Sequence, residues 1–215
     1  MVRMRKWIIP GLMVLAAVVM GAISYPYLPE QVAIHWNAAG EPDNFASKEF
    51  ALILMPVIMI FIYALIRIVR VIDPKKQNIQ KFGKDVDTIT NVTLFILLII
   101  HGVTILHGLG REINVSVIAP AVVGMLFIVI GNYMPRFKFN YFIGIRTPWT
   151  LANEKVWRKT HQIGGICFVT GGLLLLISAF LPVSWKICLL IFVLIVITGV
   201  PVYLSYNMYQ KQQES

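Results

Sequence analysis

A chain of 215 residues that is 58% apolar and only 13% charged lies far from the soluble average, where about a quarter of residues carry charge. With a mean hydropathy of +0.75, one domain of this length cannot enclose so much apolar surface in a water-soluble core, so lipid is the solvent for most of it. The net charge of +9 does not argue for direct nucleic-acid binding, because Lys and Arg fall in short runs between apolar segments, as retention of cations on the cytoplasmic side predicts.

Arg3, Arg5 and Lys6 precede an apolar run from Trp7 to about Ser24. This polarity is that of a signal peptide, but the run exceeds the usual hydrophobic region of roughly 7–15 residues and further spans follow. It reads as a retained first transmembrane helix. Residues 25–49 are polar and turn-rich, with Pro26, Pro29 and Pro42 against a continuous helix and turn chemistry at Asn37–Gly40 and Glu41–Asn44. Gln31–Trp36 fits a short strand or extended segment.

Phe50–Ile72 forms the second span, with Pro56 inside it and Arg67 and Arg70 placed to snorkel near its end. Asp73–Thr88 is a charged connector. The third span is predicted over Ile89–His107, the fourth over Ser116–Met134, the fifth over Ile163–Leu181 and the sixth over Lys186–Tyr206. Each is close to the roughly 20 residues needed to cross a bilayer. Cys167 and Cys188 each lie inside an apolar run, which predicts buried free thiols rather than a disulfide or metal site.

A cytoplasmic N-terminus would place Arg3, Arg5, Lys6, Arg67, Arg70, Lys75, Lys76, Lys81, Lys84, Arg136, Lys138, Arg146, Lys155, Arg158, Lys159 and Lys211 inside, leaving Lys48, Arg111 and Lys186 outside. That is 16 of the 19 cations on one side, while the ten acids divide evenly, as a rule driven by Lys and Arg predicts. The expected fold is an all-α integral membrane protein with six transmembrane helices, both termini cytoplasmic, in the cell membrane. Its expected parts are a two-helix region 1–72 with an extracytoplasmic loop 25–49, a connector and third helix 73–115, and a region 116–215 holding a second cytoplasmic connector, 131–165.

That second connector carries the chain's most defined pattern. Gly144 permits a tight backbone, Pro148 fixes φ and Trp149 suits an interfacial depth. Thr150 or Asn153 is placed to cap a helix starting near Glu154, with Trp157 on it, resting among the headgroups. Asn132, near the apolar region, is costly unless paired and so is expected to anchor the connector. His101 and His107 are about 240° apart around a helix, which disfavours a joint metal site. His101 with Thr104 instead fits hydrogen bonding to another helix. His35, Glu30, Glu41 and Asp43 have metal-ligand chemistry but no close ligand spacing. No cofactor motif and no nucleophile-plus-base pattern stands out, which argues against an enzyme. The alternative is a small-solute transporter or membrane enzyme using His101, Asn132 and Arg146.

Two regions resemble the SdpI family of bacterial membrane immunity proteins. One holds Gly131-Asn132, Asn140, Gly144-Ile-Arg-Thr-Pro-Trp-Thr-Leu151, Glu154, Val156-Trp157 and Gly164-Gly165. The other holds Leu28-Pro29-Glu30, Val32, Ile34-His35-Trp36 and Gly40, and is similar to DUF1648, a domain of unknown function that often precedes the first. The resemblance implies immunity to a secreted, membrane-active peptide toxin, the sporulation-delaying protein in the named member, and sequestration of a cytoplasmic repressor. On that reading Asn132, Asn140, Gly144, Arg146, Thr147, Pro148, Trp149 and Trp157 form an inner docking surface, while Glu30, His35, Trp36 and Gly40 face the toxin.

Overall fold

The computed structural model describes residues 2–213, with side chains from Trp7 onward. Among them, six helices are long and apolar enough to cross a bilayer: α1 (Val2–Ser24), α2 (Lys48–Ile72), α4 (Gly83–Gly108), α5 (Val115–Tyr133), α7 (Glu154–Ser178) and α8 (Val183–Gln213). Two short helices, α3 (Lys76–Lys81) and α6 (Pro148–Ala152), lie in the polar connectors. The six-span all-α fold is therefore present. Large apolar side chains such as Ile53, Phe61 and Ile195 remain exposed along the spanning helices, as expected where the surrounding solvent is acyl chain.

The starts of two spans differ most from hydropathy alone, each because polar residues are accommodated on one helical face. The third span begins at Gly83 rather than Ile89: Asp87 receives the Arg70 guanidinium at 2.6 Å, and Arg70 also donates to the Gly83 carbonyl at 3.1 Å. The fifth begins at Glu154 rather than Ile163. Asn153 caps it through the Lys155 and Val156 amides, and Val156, Trp157, Thr160 and His161 bury one side while Arg158 and Lys159 stay outside. Trp157, expected among the headgroups, is instead 2% exposed. The polar connector is thus shorter than 131–165, since its last third is already spanning helix.

The polar loop 25–49 holds the strand expected at Gln31–Trp36 and, beyond expectation, a second one. β1 (Gln31–Trp36) pairs antiparallel with β2 (Pro42–Ser47), in register from Gln31 opposite Ser47 to Ala33 opposite Phe45, with irregular pairing around His35. The turn residues foreseen at 37–40 close this hairpin. The Asn37 carboxamide oxygen accepts from the Ala39 and Glu41 amides, and Gly40 takes φ +85°, a left-handed conformation that disfavours side chains. Residues 42–47 lack strand-forming composition, and pairing with β1 decides their conformation.

The chain divides into two compact units, one running up to Ile66 together with Thr90–Ala119, the other comprising Arg67–Ile89 and the chain from Pro120 onward. In the first, Ala17, Met59 and Leu94 bring α1, α2 and α4 together, and Leu28, Val32, Ala51, Leu52 and Ile105 seat β1 against α2 and α4. His101, fully buried, reaches the Ala17 carbonyl on α1 at 3.1 Å, the interhelical use expected of it. Thr104 does not share it, because its hydroxyl donates to the Ile100 carbonyl of its own helix.

In the second unit, Cys167, Leu175, Val193 and Ile197 join α7 to α8. Cys188 is exposed on α8, not buried; both thiols are free. α5 meets α7 backbone to backbone: a Cβ on Gly124 would lie 2.6 Å from the Gly172 carbonyl oxygen, and one on Gly131 would lie 2.6 Å from that of Gly165. Small residues permit such close approach between membrane helices, where van der Waals packing drives association.

Candidate functional site

The hairpin end of the first unit gathers polar groups in pairs rather than around a centre. His35 Nδ1 lies 2.5 Å from Asp43 Oδ1, Glu30 takes the Lys48 ammonium at 2.9 Å, and Glu41 accepts from the Asn37 amide at 3.1 Å. The four metal-capable side chains singled out in this loop are therefore divided among separate partners, and no group of three such ligands occurs among the described residues. Trp36 packs edge-on to His107 with ring centroids 5.6 Å apart. Its indole N–H is buried without an acceptor among the described residues. Gly40 sits so close to Ser116 that a Cβ would lie 2.6 Å from the Ser116 amide nitrogen, which fixes the hairpin tip on the start of α5.

In the second unit the connector after α5 is tied down residue by residue. Asn140 is fully buried. Its amide donates to the Lys138 and Ile143 carbonyls, each at 2.9 Å, and its oxygen accepts from the Phe142 and Ile143 amides. A carboxamide with two donors and two acceptor lone pairs is thereby satisfied in full, and the loop 138–143 folds around it. Asp73, 1% exposed, takes the Lys75 amide on one oxygen and the Tyr141 amide on the other. Asn78 adds a bond to the Phe139 carbonyl at 2.9 Å. The 73–82 segment is thus a clamp on the signature connector, a role that charge and hydropathy did not reveal.

Beyond Gly144 (φ +118°), the Ile145 amide donates to His161 Nε2 at 3.0 Å, and His161 Nδ1 lies 2.8 Å from the Trp157 carbonyl. One nitrogen must accept and the other donate, so the hydrogen bonds select the neutral ring with its proton on Nδ1. Trp157 stacks on that ring at 4.1 Å and donates its indole N–H to the Phe137 carbonyl at 2.9 Å. Thr147 caps α6, exchanging bonds with Thr150 in a reciprocal box, and its hydroxyl meets Ser205 of α8 at 3.1 Å. Pro148 occupies the first turn of α6, where its missing N–H costs nothing. Trp149 packs edge-on against Tyr206 at 5.1 Å. Asn153 donates to Gln212 at 2.6 Å.

The predicted inner residues therefore separate into two kinds. Asn140, Gly144, Thr147 and Trp157 hold the connector from within. Arg146 is exposed and donates to the Tyr141 carbonyl at 3.0 Å, and Asn132 is exposed on the last turn of α5. Asn132 does not anchor the connector as expected, because its side chain projects from the helix while Asn140 takes that part. Among the described residues no hydrogen bond joins Arg146 to Asn132. His161 was missed by sequence reasoning. Its signal lies in spacing: it stands one helical turn after Trp157 and three residues before the small pair Gly164-Gly165.

Residues 136–205, which include most of the connector, match the SdpI/YfhL protein family, and residues 12–60, which include the hairpin, match the domain of unknown function DUF1648. The immunity protein SdpI of Bacillus subtilis (strain 168) is 29% identical over 208 residues, covering 97% of this chain and 98% of that protein. The uncharacterized membrane protein YbgB of the same organism is 36% identical over 47 residues, covering 22% of this chain and 52% of that protein. No solved structure matches the chain. The chain is a multi-pass membrane protein whose residues 136–205 are similar to the SdpI/YfhL family, with a DUF1648-like segment ahead of them.

Proposed function

We propose that this chain is a non-catalytic membrane immunity protein that protects its cell from a secreted, membrane-active peptide toxin. The observation that carries the reading is its similarity, along 97% of its length, to a protein named for immunity. Charge adds to it. In a chain of net +9, residues 25–49 hold four acids, Glu30, Glu41, Asp43 and Glu49, against Lys48 alone, which suits capture of a cationic amphipathic peptide. Exposed His35, buried but unpartnered Trp36 N–H and the Gly40 tip place recognisable chemistry on the same hairpin.

In the oriented membrane, the hairpin faces outward and the 134–153 connector inward. The 16-to-3 distribution of cations supports this, and alkaline phosphatase fusions test it. The enzyme is expected to be active when inserted at Gly40 and inactive when fused to the C-terminus; the reverse pattern overturns the orientation. The inward surface, with Arg146 and Trp149 beside it, would then receive a cytoplasmic repressor when toxin engages the other side. Such signalling requires that toxin favour one of two helix arrangements.

The deciding experiment is survival of a toxin-sensitive strain that lacks its own immunity protein. Expression of this chain is expected to restore growth. At equal membrane levels, joint replacement of His35 and Trp36 by alanine should lower the tolerated toxin dose by roughly tenfold, the scale of one contact worth about 1.4 kcal/mol. Arg146→Ala with Trp149→Ala should spare survival but abolish membrane recruitment of the repressor. Failure of the unmodified chain to protect sinks the immunity reading; unchanged protection by the His35/Trp36 variant removes the hairpin from toxin contact.

A further inference from the structure

α7 opens with a face that the connector network does not use. Lys155, Arg158, Lys159 and Gln162 recur at i, i+3, i+4 and i+7, so they share one side of the helix, while Val156, Trp157, Thr160 and His161 turn into the unit. Across from this face the last turns of α8 present Met208 and Lys211. Together they border an open cleft of about 430 Å³ whose lining contains four cations and no carboxylate. Lys155, Arg158, Lys159 and Lys211 are all exposed, and their side chains make no ion pair or hydrogen bond among the described residues. Elsewhere in the second unit Arg70 pairs with Asp87, Arg136 with Asp85, and Lys81 donates to Asn78.

We propose that this cleft binds the headgroup of an anionic phospholipid, preferentially one with two phosphates such as cardiolipin. Four uncompensated cations around one opening repel one another, and an anion seated among them relieves that repulsion. The opening lies at the ends of two spanning helices, the level at which headgroups reside, so the ligand is supplied at high local concentration. Half-buried Met208 in the lining meets the glyceride end, and the lysine and arginine stems extend along apolar surface while their charged tips reach phosphate. Basic pockets between membrane helices use this chemistry, and the two-phosphate headgroup matches the charge better than a single phosphate does. The lipid would brace α7 against α8 beside the connector, independently of any toxin.

The test uses the full-length protein in detergent, with binding of fluorescent cardiolipin followed by native mass spectrometry and titration. Joint replacement of Lys155, Arg158, Lys159 and Lys211 by glutamine is expected to weaken binding roughly tenfold or more, since these basic groups supply the attraction to the anionic headgroup. A variant with Lys75, Lys76, Lys81 and Lys84 replaced by glutamine removes the same charge elsewhere and is expected to bind as the unmodified protein does. Equal loss in both variants would reduce the effect to general surface charge and overturn the proposal. Displacement of the lipid by inorganic phosphate at constant ionic strength would assign the cleft to a soluble anion instead. Absence of lipid preference, together with binding of a polyglutamate peptide that depends on the same four residues, would make it a protein-docking surface.

Discussion

Gly172→Ala is expected to separate α5 from α7 and to lower the stability of the whole second unit. The added Cβ would stand 2.5 Å from the Gly124 carbonyl oxygen and 2.9 Å from the Ile128 amide nitrogen. Both obstacles are backbone, so no rotamer change relieves the overlap and the helices themselves must move. The same holds one rung away, where a Cβ on Gly165 would lie 2.7 Å from the Gly131 carbonyl oxygen. Gly124 and Gly131 are seven residues apart, as are Gly165 and Gly172, a spacing that keeps both rungs of an antiparallel pair on one seam. Overpacking costs about 1–3 kcal/mol, and separation also forfeits close Cα–H···O contacts worth perhaps 0.5–1 kcal/mol each. A loss of roughly 3 kcal/mol is therefore expected in SDS-titration unfolding. Gly124→Ala should cost a similar amount, and the double variant less than the sum, because either Cβ alone breaks the rung. Gly199→Ala is the control: a Cβ there meets nothing within 4 Å, so stability should be unchanged or rise by up to ~1 kcal/mol. Wild-type stability in Gly172→Ala would show that the backbones are not held at this separation.

What could be read from the residues, and what could not, follows from the range of the forces involved. Spans were legible because burial in lipid is a sum over about 20 neighbouring residues, and no single interaction outweighs it. The starts of α4 and α7 escaped that sum: Asp87 and His161 lower the local hydropathy yet are accommodated by partners, Arg70 and Ile145, that lie 17 and 16 residues away in sequence. β2 escaped because Pro42–Ser47 becomes a strand only when β1 lies beside it. The candidate connector was found from its Gly, Pro and Trp residues, whose constraints are local. Its clamp was not, since the Asp73–Tyr141 bond spans 68 positions and an aspartate at the head of a basic run looks like any solvated charge. Asn132 and Asn140 illustrate the same limit. Both are asparagines near the end of a span, and only the fold reveals that one is exposed while the other has every hydrogen-bonding position filled.

The second large effect is expected at His161, where the connector is locked to α7. His161→Leu keeps the volume apolar but leaves the Ile145 amide without its acceptor, and a buried unsatisfied group costs about 1–3 kcal/mol. It also removes the stack on Trp157, centroids 4.1 Å apart, an arrangement worth about 0.5–1.5 kcal/mol. The combined loss of roughly 3 kcal/mol falls on the loop rather than on the spans, because α7 keeps its own backbone bonds and its packing on α8. Local opening should therefore rise about a hundredfold, and limited trypsin cleavage after the exposed Arg146 should accelerate accordingly while helical circular dichroism stays unchanged. Gly144→Ala attacks the same contact from the other side. Its φ of +118° is a conformation that L side chains rarely adopt, and a Cβ there would overlap His161 Nε2. In a His161→Ala background the overlap disappears while the backbone strain remains, so Gly144→Ala should cost less than in the wild type. That difference isolates the contact, as a double-mutant cycle requires. Equal costs in the two backgrounds would mean that strain alone explains Gly144. Unchanged cleavage in His161→Leu would mean that Asn140 and Asp73 hold the connector without the histidine.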